Sequence, residues 1–249
     1  YMIIDSLKNI LPFTNSKIDS DFKKIIKKFP EKYILKEDDL NLLFKSYNVG
    51  LAAHEGQKRK SGEKYFVHCI EVCKQLIDWN MDLPTIIAGL LHDTIEDTDI
   101  SYEILLNDFG KDIADLVNQV SKLSGIKYRN IERRQAENFM KMFLSISKDL
   151  RVIIIKFADR LHNMKTLNFL PKDKQQRIAL ETLELYAPLA HRLGMNKIKM
   201  EFEDLCFSIL NFNSYKKIVS QVNSTKKQRQ KYIDDFIKPI SIQFKKYNI

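Results

Sequence analysis

This sequence is short of residues that turn a chain. It has 7 Gly and 6 Pro in 249 residues, too few for the frequent tight turns of a sandwich or barrel, so an all-β fold is excluded. It has no run of 18 apolar residues, which removes the signal for a transmembrane helix and for a membrane partner. The stretch after Met2 lacks the basic start and long apolar core of a secretory leader. Cysteine is scarce too, with 3 in the chain. An odd and small number suits reduced thiols and a cytoplasmic setting rather than a disulfide framework. Cys69 and Cys73 lie one helical turn apart beside His68, but the second pair that a structural zinc site needs is missing. They read as buried helix cysteines, packed as small hydrophobes.

What the chain does contain is ordinary for a soluble protein: 44% hydrophobic and 29% charged residues. Its length suffices for a sizeable core, as one large domain or two small ones. The net charge of +9 would suggest nucleic acid if it were spread over the chain. It is not. Residues 213–249 hold nine Lys/Arg against two Asp/Glu, so +7 of the +9 sits there and the body is nearly neutral. A basic tail of this kind reads as a solvated helix face, with RNA or partner contact left open.

Helical periodicity runs through the whole chain, and the fold class expected is all-α. Residues 3–29 read as one or two amphipathic helices broken near Pro12 and ending before Pro30. A helix from Asp38 turns Leu40, Leu43, Phe44, Tyr47 and Leu51 inward and reaches about Gly56. Residues 57–64 form a loop rich in cations and hydrogen-bond donors, in which Gly62 permits a tight turn. That loop is either a solvated basic turn or a clamp for phosphate or a purine edge. Further helices are expected at 65–79, at 83–91 with Pro84 in the first turn, from Ser101 to Phe109 with Gly110 as its stop, and at 111–121. A polar connection (122–131) and a helix (132–148) come next. The run Val152-Ile-Ile-Ile155 has strand propensity, yet with no partner strand nearby it reads as a buried helix. A helix over 172–186 follows, and a basic amphipathic pattern from Tyr215 to Tyr247 is expected to bend at Asn223-Ser224 and Pro239.

Two places in this helical pattern carry ionisable groups that need explaining. The apolar helix 83–91 ends in His92-Asp93-Thr94-Ile95-Glu96-Asp97. Near a helix end His92 and Asp93 can close on one ion, and Glu96 and Asp97 return one turn later on the same side. This is a cradle for a divalent cation, or else an acidic, solvated helix end. Asp159 falls within an apolar helix, where a carboxylate is costly unless paired or metal-bound. Arg160 and Arg151 are the ion-pair alternatives, and Arg160 faces away from Asp159 on a helix. His68, near the start of its helix, taken alone reads as a core histidine.

His68, then His92-Asp93, then Asp159, on separate helices, resembles the metal set of the HD phosphohydrolase superfamily. Four longer stretches are similar to the hydrolase half of the Rel/Spo stringent-response enzymes: His54-Glu-Gly-Gln-Lys-Arg-Lys-Ser-Gly-Glu63, Gly89-Leu-Leu-His-Asp-Thr-Ile-Glu-Asp-Thr98, Phe157-Ala-Asp-Arg-Leu-His-Asn-Met-Lys-Thr-Leu167 and Glu181-Thr-Leu-Glu-Leu-Tyr-Ala-Pro-Leu-Ala-His-Arg-Leu-Gly194. The resemblance spans roughly Tyr33 to Tyr215. It implies a helical HD-domain bundle that hydrolyses the guanosine tetra- and pentaphosphate alarmones to GDP or GTP and pyrophosphate in the stringent response. It implies manganese held by His68, His92, Asp93 and Asp159. Glu96 and Asp97 would serve the attacking water and the diphosphate. Arg59, Lys60 and Ser61 would hold the nucleotide, joined by Asn163 and Thr166. Two imidazoles and two carboxylates with open positions suit manganese or ferrous iron better than a closed zinc site.

The chain departs from the family in small ways. Cys69 stands where the family commonly has Pro, and Ser121-Lys122-Leu123 replaces Thr-Lys-Leu. The family normally continues into a synthetase domain and regulatory domains, and this chain stops near where the synthetase would begin, as a truncation or a stand-alone hydrolase. The expected division is a helical lead-in (1–32), the hydrolase domain (33–212) and a basic helical linker toward an absent synthetase domain (213–249). Ribosome or RNA contact would come only through the missing domains. Two other functions are weighed beside this one: another HD-type nucleotide phosphohydrolase, and a non-enzymatic module that binds guanine nucleotides, or RNA through its basic tail.

Overall fold

The computed structural model describes residues 19–30, 33–124 and 149–246. The helices expected before Asp19 and at 132–148, and most of the connection between Lys122 and Ile131, lie outside the described residues. Within them the fold is helical, as expected, although Leu51, expected to face inward with Leu40, Leu43 and Tyr47, is exposed near the end of its helix. The helices are α1 (Ser20–Lys28), α2 (Glu37–Ala53), α3 (Phe66–Asp78), α4 (Leu83–Leu91), the short α5 (Thr94–Asp97), α6 (Tyr102–Ser124), α7 (Leu150–Lys165), α8 (Lys172–Glu181), α9 (Ala187–Arg192), α10 (Asn196–Leu210) and α11 (Phe212–Lys246). A π-helical stretch, Thr182–Tyr186, joins α8 to α9. No strand occurs among the described residues beyond one isolated antiparallel bridge, Lys58–Lys64.

The bundle is organised around α7. One of its faces, with Val152, Ile155 and Ala158, joins a core with Cys69, Cys73 and Leu76 of α3, Ile87 and Leu91 of α4, and Ile113 and Val117 of α6. The opposite face, with Ile153, Phe157 and Leu161, packs on Leu185, Tyr186, Leu189, Ile198 and Phe202. A helix buried on two sides needs apolar residues all round, and this is why a run of β-branched residues became helix. Asp149 caps its start by accepting from the Arg151 amide at 2.9 Å. Arg151 then reaches Asp82, just before α4, at 3.1 Å and Asp112 of α6 at 2.6 Å, so the first turn of α7 is pinned to two neighbours.

Close helix approach depends on Gly89. A Cβ there would overlap Leu76 Cδ1, which is fully buried on α3. The bare backbone lets α4 lie against α3, so His92 at the end of α4 meets His68 at the start of α3. Gly110 does what the sequence promised. Its φ of 81° and ψ of 172° break the helical path inside α6, a left-handed conformation that favours glycine.

The C-terminal helix continues past the residues expected to bend it. α11 runs unbroken through Asn223-Ser224 and Pro239. Ser224 and Thr225 turn their hydroxyls back to the Gln221 carbonyl, at 2.8 and 2.9 Å, and so stay within the helix. Pro239 is exposed, where water can satisfy the carbonyl that its ring leaves without a donor. No described helix is long and apolar enough to cross a membrane.

Candidate metal centre

Four side chains converge where α3, α4 and α7 meet. His68 lies in the first turn of α3, His92 and Asp93 directly follow α4, and Asp159 sits in the middle of α7. All four are buried. His68 Nε2 lies 3.2 Å from Asp159 Oδ1 and 3.7 Å from Asp93 Oδ2. His92 Nε2 lies 3.1 Å from Asp93 Oδ2 and 3.9 Å from Asp159 Oδ1. Donor atoms of His68, His92 and Asp159 all fall within 4.8 Å of one another. These are the four residues the resemblance nominated as ligands, drawn from positions up to 91 residues apart in sequence.

The donor set fits a cation on two grounds. Nδ1 of His92 is 2.8 Å from the Gly89 carbonyl, which can only accept, so Nδ1 carries the hydrogen and the Nε2 lone pair points into the cluster. Although it is near Asp93, Nε2 is buried without a hydrogen-bond partner among the described residues. A buried polar atom left in this state normally costs free energy. The second ground is charge. Burial works against an imidazolium at His92, but the Asp93 carboxylate, helped by Asp159, outweighs it and raises the pKa. Burial likewise works against a charged Asp93, and the neighbouring His92 and His68 still hold its carboxyl well below the usual range. The same carboxylates that draw a proton to His92 would draw a metal ion.

Asp159 is paired, but not with the arginines the sequence suggested. Lys156, one turn earlier and itself buried, donates to Asp159 Oδ2 at 2.7 Å. Burial opposes the carboxylate, and Lys156 overcomes it and holds the pKa well down. Arg160 instead reaches Glu181 at 3.0 Å and the Tyr186 hydroxyl at 2.8 Å. Oδ2 is thus taken by the ammonium, while Oδ1 faces His68 and accepts from Asn163 Nδ2 at 2.5 Å.

The loop 57–64 is a tight turn. The Arg59 amide donates to the Glu63 carbonyl and the Gly62 amide to the Arg59 carbonyl, each at 2.9 Å, with Gly62 at a φ of 85°. Although it sits on a loop, Arg59 folds back onto α7 beside the metal cluster. Arg59 Nη2 donates to Asn163 Oδ1 at 2.5 Å, and Nη1 lies 3.0 Å from His162 Nδ1. Lys60 is exposed on the same turn. Ser61 bonds locally, to Glu63 Oε2 at 3.1 Å. The Thr166 hydroxyl donates to the His162 carbonyl at 3.0 Å and closes the end of α7. Glu96 and Asp97 are exposed on α5.

Tyr65 with its supports His54 and Gln57, His162, and Lys156 were given no role in the sequence reading. The Tyr65 hydroxyl lies 2.9 Å from Asp93 Oδ2 and 2.8 Å from Asp97 Oδ2, tying the buried carboxylate to the exposed one. Burial and the Asp93 charge push this phenol far up, so it stays a donor. His54 stacks on Tyr65 at 4.9 Å, and Gln57 donates to the Asp97 carbonyl at 2.8 Å. His162 touches both Arg59 and His68, and burial pushes its pKa down to about 3. Lys156 completes the set, and its i−3 spacing from Asp159 was the one signal available beforehand. Both helix cysteines are buried as expected; the Cys69 thiol lies close to donor atoms of His92 and Asp93.

Residues 47–196 match the HD domain family. The chain belongs to that family. Among curated proteins, this HD domain is 47% identical over 206 residues to the bifunctional (p)ppGpp synthase/hydrolase SpoT of Escherichia coli, covering 83% of this chain and 29% of the relative. It is 48% identical over 199 residues to the guanosine-3′,5′-bis(diphosphate) 3′-pyrophosphohydrolase of Vibrio cholerae, covering 80% of this chain and 28% of that protein. The chain therefore spans less than a third of the length of these relatives. A solved structure described as a metazoan ortholog of SpoT that hydrolyzes ppGpp shares the fold. Its TM-score is 0.52 at 23% identity, covering 66% of this chain and 93% of that one.

Proposed function

We propose that this HD domain is a guanosine-3′,5′-bis(diphosphate) 3′-pyrophosphohydrolase. It would remove pyrophosphate from the ribose 3′ position of the tetra- and pentaphosphate alarmones and return GDP or GTP, as part of the stringent response. The observation that carries the reading is the convergence of His68, His92, Asp93 and Asp159, with His92 Nε2 left unbonded, in a chain 47% identical to a relative with (p)ppGpp hydrolase in its name. The metal we propose is manganese, held by those four side chains. When bound it would neutralise phosphate charge and lower the pKa of water.

The chain's own residues would do the rest. Asp97, held by Tyr65 and Gln57 at the edge of the centre, is placed to take a proton or orient water, with Glu96 on the same helical turn. Arg59 and Lys60 would take the charge of the nucleotide's phosphates. Arg59 would have to exchange its contacts with Asn163 and His162 for the substrate, or extend them to it. Asn163 both accepts from Arg59 and donates to Asp159, which puts it between nucleotide and metal ligand. Ser61 and Thr166, whose hydroxyls are engaged locally, would contribute by fixing the loop and the end of α7.

The greater length of the relatives, and the word bifunctional in the name of one, support reading this chain as part of a longer enzyme; in that reading 33–212 is the hydrolase domain, 1–32 leads in, 213–249 links toward a synthetase domain, and the setting is cytoplasmic. A panel of nucleotides assayed with manganese, with products resolved by phosphorus NMR, tests the activity. Pyrophosphate and GDP in equal amounts from the tetraphosphate are expected. Orthophosphate as the phosphate product would point to another HD-type phosphohydrolase. Tight alarmone binding without turnover would point to a regulatory module.

A further inference from the structure

His162 has no part in the chemistry proposed above, yet it lies between the loop arginine and a metal ligand. Its Nδ1 is 3.0 Å from Arg59 Nη1 and 2.7 Å from His68 Nδ1. A guanidinium only donates. His162 Nδ1 must therefore accept, and its ring hydrogen must be on Nε2. An accepting nitrogen cannot also donate to His68, so the hydrogen in the 2.7 Å contact belongs to His68 Nδ1. A neutral His68 with its hydrogen on Nδ1 has its lone pair on Nε2. That is the atom 3.2 Å from Asp159 Oδ1 and 3.7 Å from Asp93 Oδ2, facing the cluster. The relay starts from a side chain that has no choice, and the one lone pair of His162 Nδ1 is shared by two donors, Arg59 Nη1 and His68 Nδ1, in a three-centre contact.

We infer that His162 is a positioning residue that locks His68 in its metal-binding tautomer and couples the Arg59 loop to the metal centre. The coupling has a direction. Metal at His68 Nε2 requires the hydrogen on Nδ1, which requires His162 to accept there, the state that also receives Arg59. Metal and the Arg59 contact thus favour one tautomer of His162, and by linkage each strengthens the other. A second arm runs in parallel, because Arg59 also donates to Asn163 Oδ1 while Asn163 Nδ2 donates to Asp159 Oδ1. Partners that orient a ligating imidazole in this way commonly contribute about 10–100-fold to metal affinity.

The inference rests on His68 being a metal ligand, as proposed above, and one arm of its test needs no metal. Long-range nitrogen–proton NMR of the metal-free protein at about pH 8 reads imidazole tautomers directly. His68 should carry its hydrogen on Nδ1 and His162 on Nε2, with His162→Asn supplying the assignment. Finding His68 protonated on Nε2, or His162 on Nδ1, would overturn the relay. The second arm is manganese affinity by electron paramagnetic resonance. His162→Leu, which removes the acceptor, should weaken binding by about 10–100-fold. His162→Asn should restore most of the loss, because its amide oxygen can occupy the place of Nδ1 and only accept. Unchanged affinity in the leucine variant, or an asparagine variant as weak as leucine, would show that His162 does not act through this hydrogen bond. If the wild-type protein bound no manganese at all, the metal reading would fail, while the tautomer spectrum would still decide the relay. If the leucine variant did not fold, the wild-type spectrum and the asparagine variant would still decide.

Discussion

Asp159 and Lys156 show how the centre is held at the scale of single residues. Both are buried, and their contact is 2.7 Å. Removing one member of a buried ion pair leaves the other charge uncompensated, which typically costs about 3–5 kcal/mol. Lys156→Met should therefore destabilise the metal-free protein by about that much, and added manganese should recover part of the loss by supplying another positive charge to Asp159. Chemical denaturation with and without manganese measures both. A second prediction separates ligands from the groups at the edge. Glu96→Gln and Asp97→Asn should keep their metal, because the exposed α5 carboxylates lie outside the four-residue cluster. Pyrophosphate release should fall by about 10²–10⁴-fold in the variant that removes the general base. Elemental analysis beside single-turnover kinetics tests this: metal loss in Glu96→Gln would make Glu96 a ligand. His92, Asp93 and Asp159 were legible in the sequence because ionisable groups at the end of or within apolar helices demand a reason, whereas His68 read alone as a core histidine and joined them only through the family resemblance. Tyr65 and His162 were not legible, since their roles come from which helix faces meet. The approach of Arg59 to the cluster was not readable either, because a loop's position in sequence does not fix how its long side chain folds back.

Elements set these distances, and α7 matters most among them. Its start depends on Asp149, which caps the helix and is bonded to Arg151. Asp149→Ala should destabilise the protein by about 0.5–2 kcal/mol, the usual cost of losing a cap. The hydrogen bond from Arg151, opposed by burial, lowers the pKa of this carboxyl. A depressed folded-state pKa means the contribution is present above the unfolded value of about 4 and is lost as pH falls through the lower folded value. The stability gap between wild type and variant should thus be full at neutral pH and shrink in acid. Urea titrations at pH 7 and pH 3 measure it, and a gap that widened in acid would contradict the assignment. Helix type was readable in α7 despite its β-branched run, because no partner strand was in sight, and two-sided burial explains the run. The unbroken course of α11 was not readable, since proline and serine break helices according to what surrounds their backbone, and here that is solvent.

At the scale of the whole molecule, a nearly neutral helical body carries a basic C-terminal helix, and the buried acidic centre lies in the body. The exposed apolar residues of α11, among them Phe212, Val222, Tyr232 and Phe236, leave it without the two-sided packing that holds α7. Its basic charge was visible in composition, and its length was visible only in part, because amphipathic pattern does not say where a helix bends. The central claim concerns the body: four buried side chains hold the metal on which alarmone hydrolysis depends. The most direct test measures manganese content and pyrophosphate release from guanosine tetraphosphate on the same samples, for wild type and His92→Ala, before and after chelation. The account predicts stoichiometric manganese and pyrophosphate release in the wild type, loss of both on chelation with recovery on adding manganese back, and neither in His92→Ala. Wild-type hydrolysis that survives complete metal removal, or a His92→Ala variant that holds manganese and turns over, would contradict it.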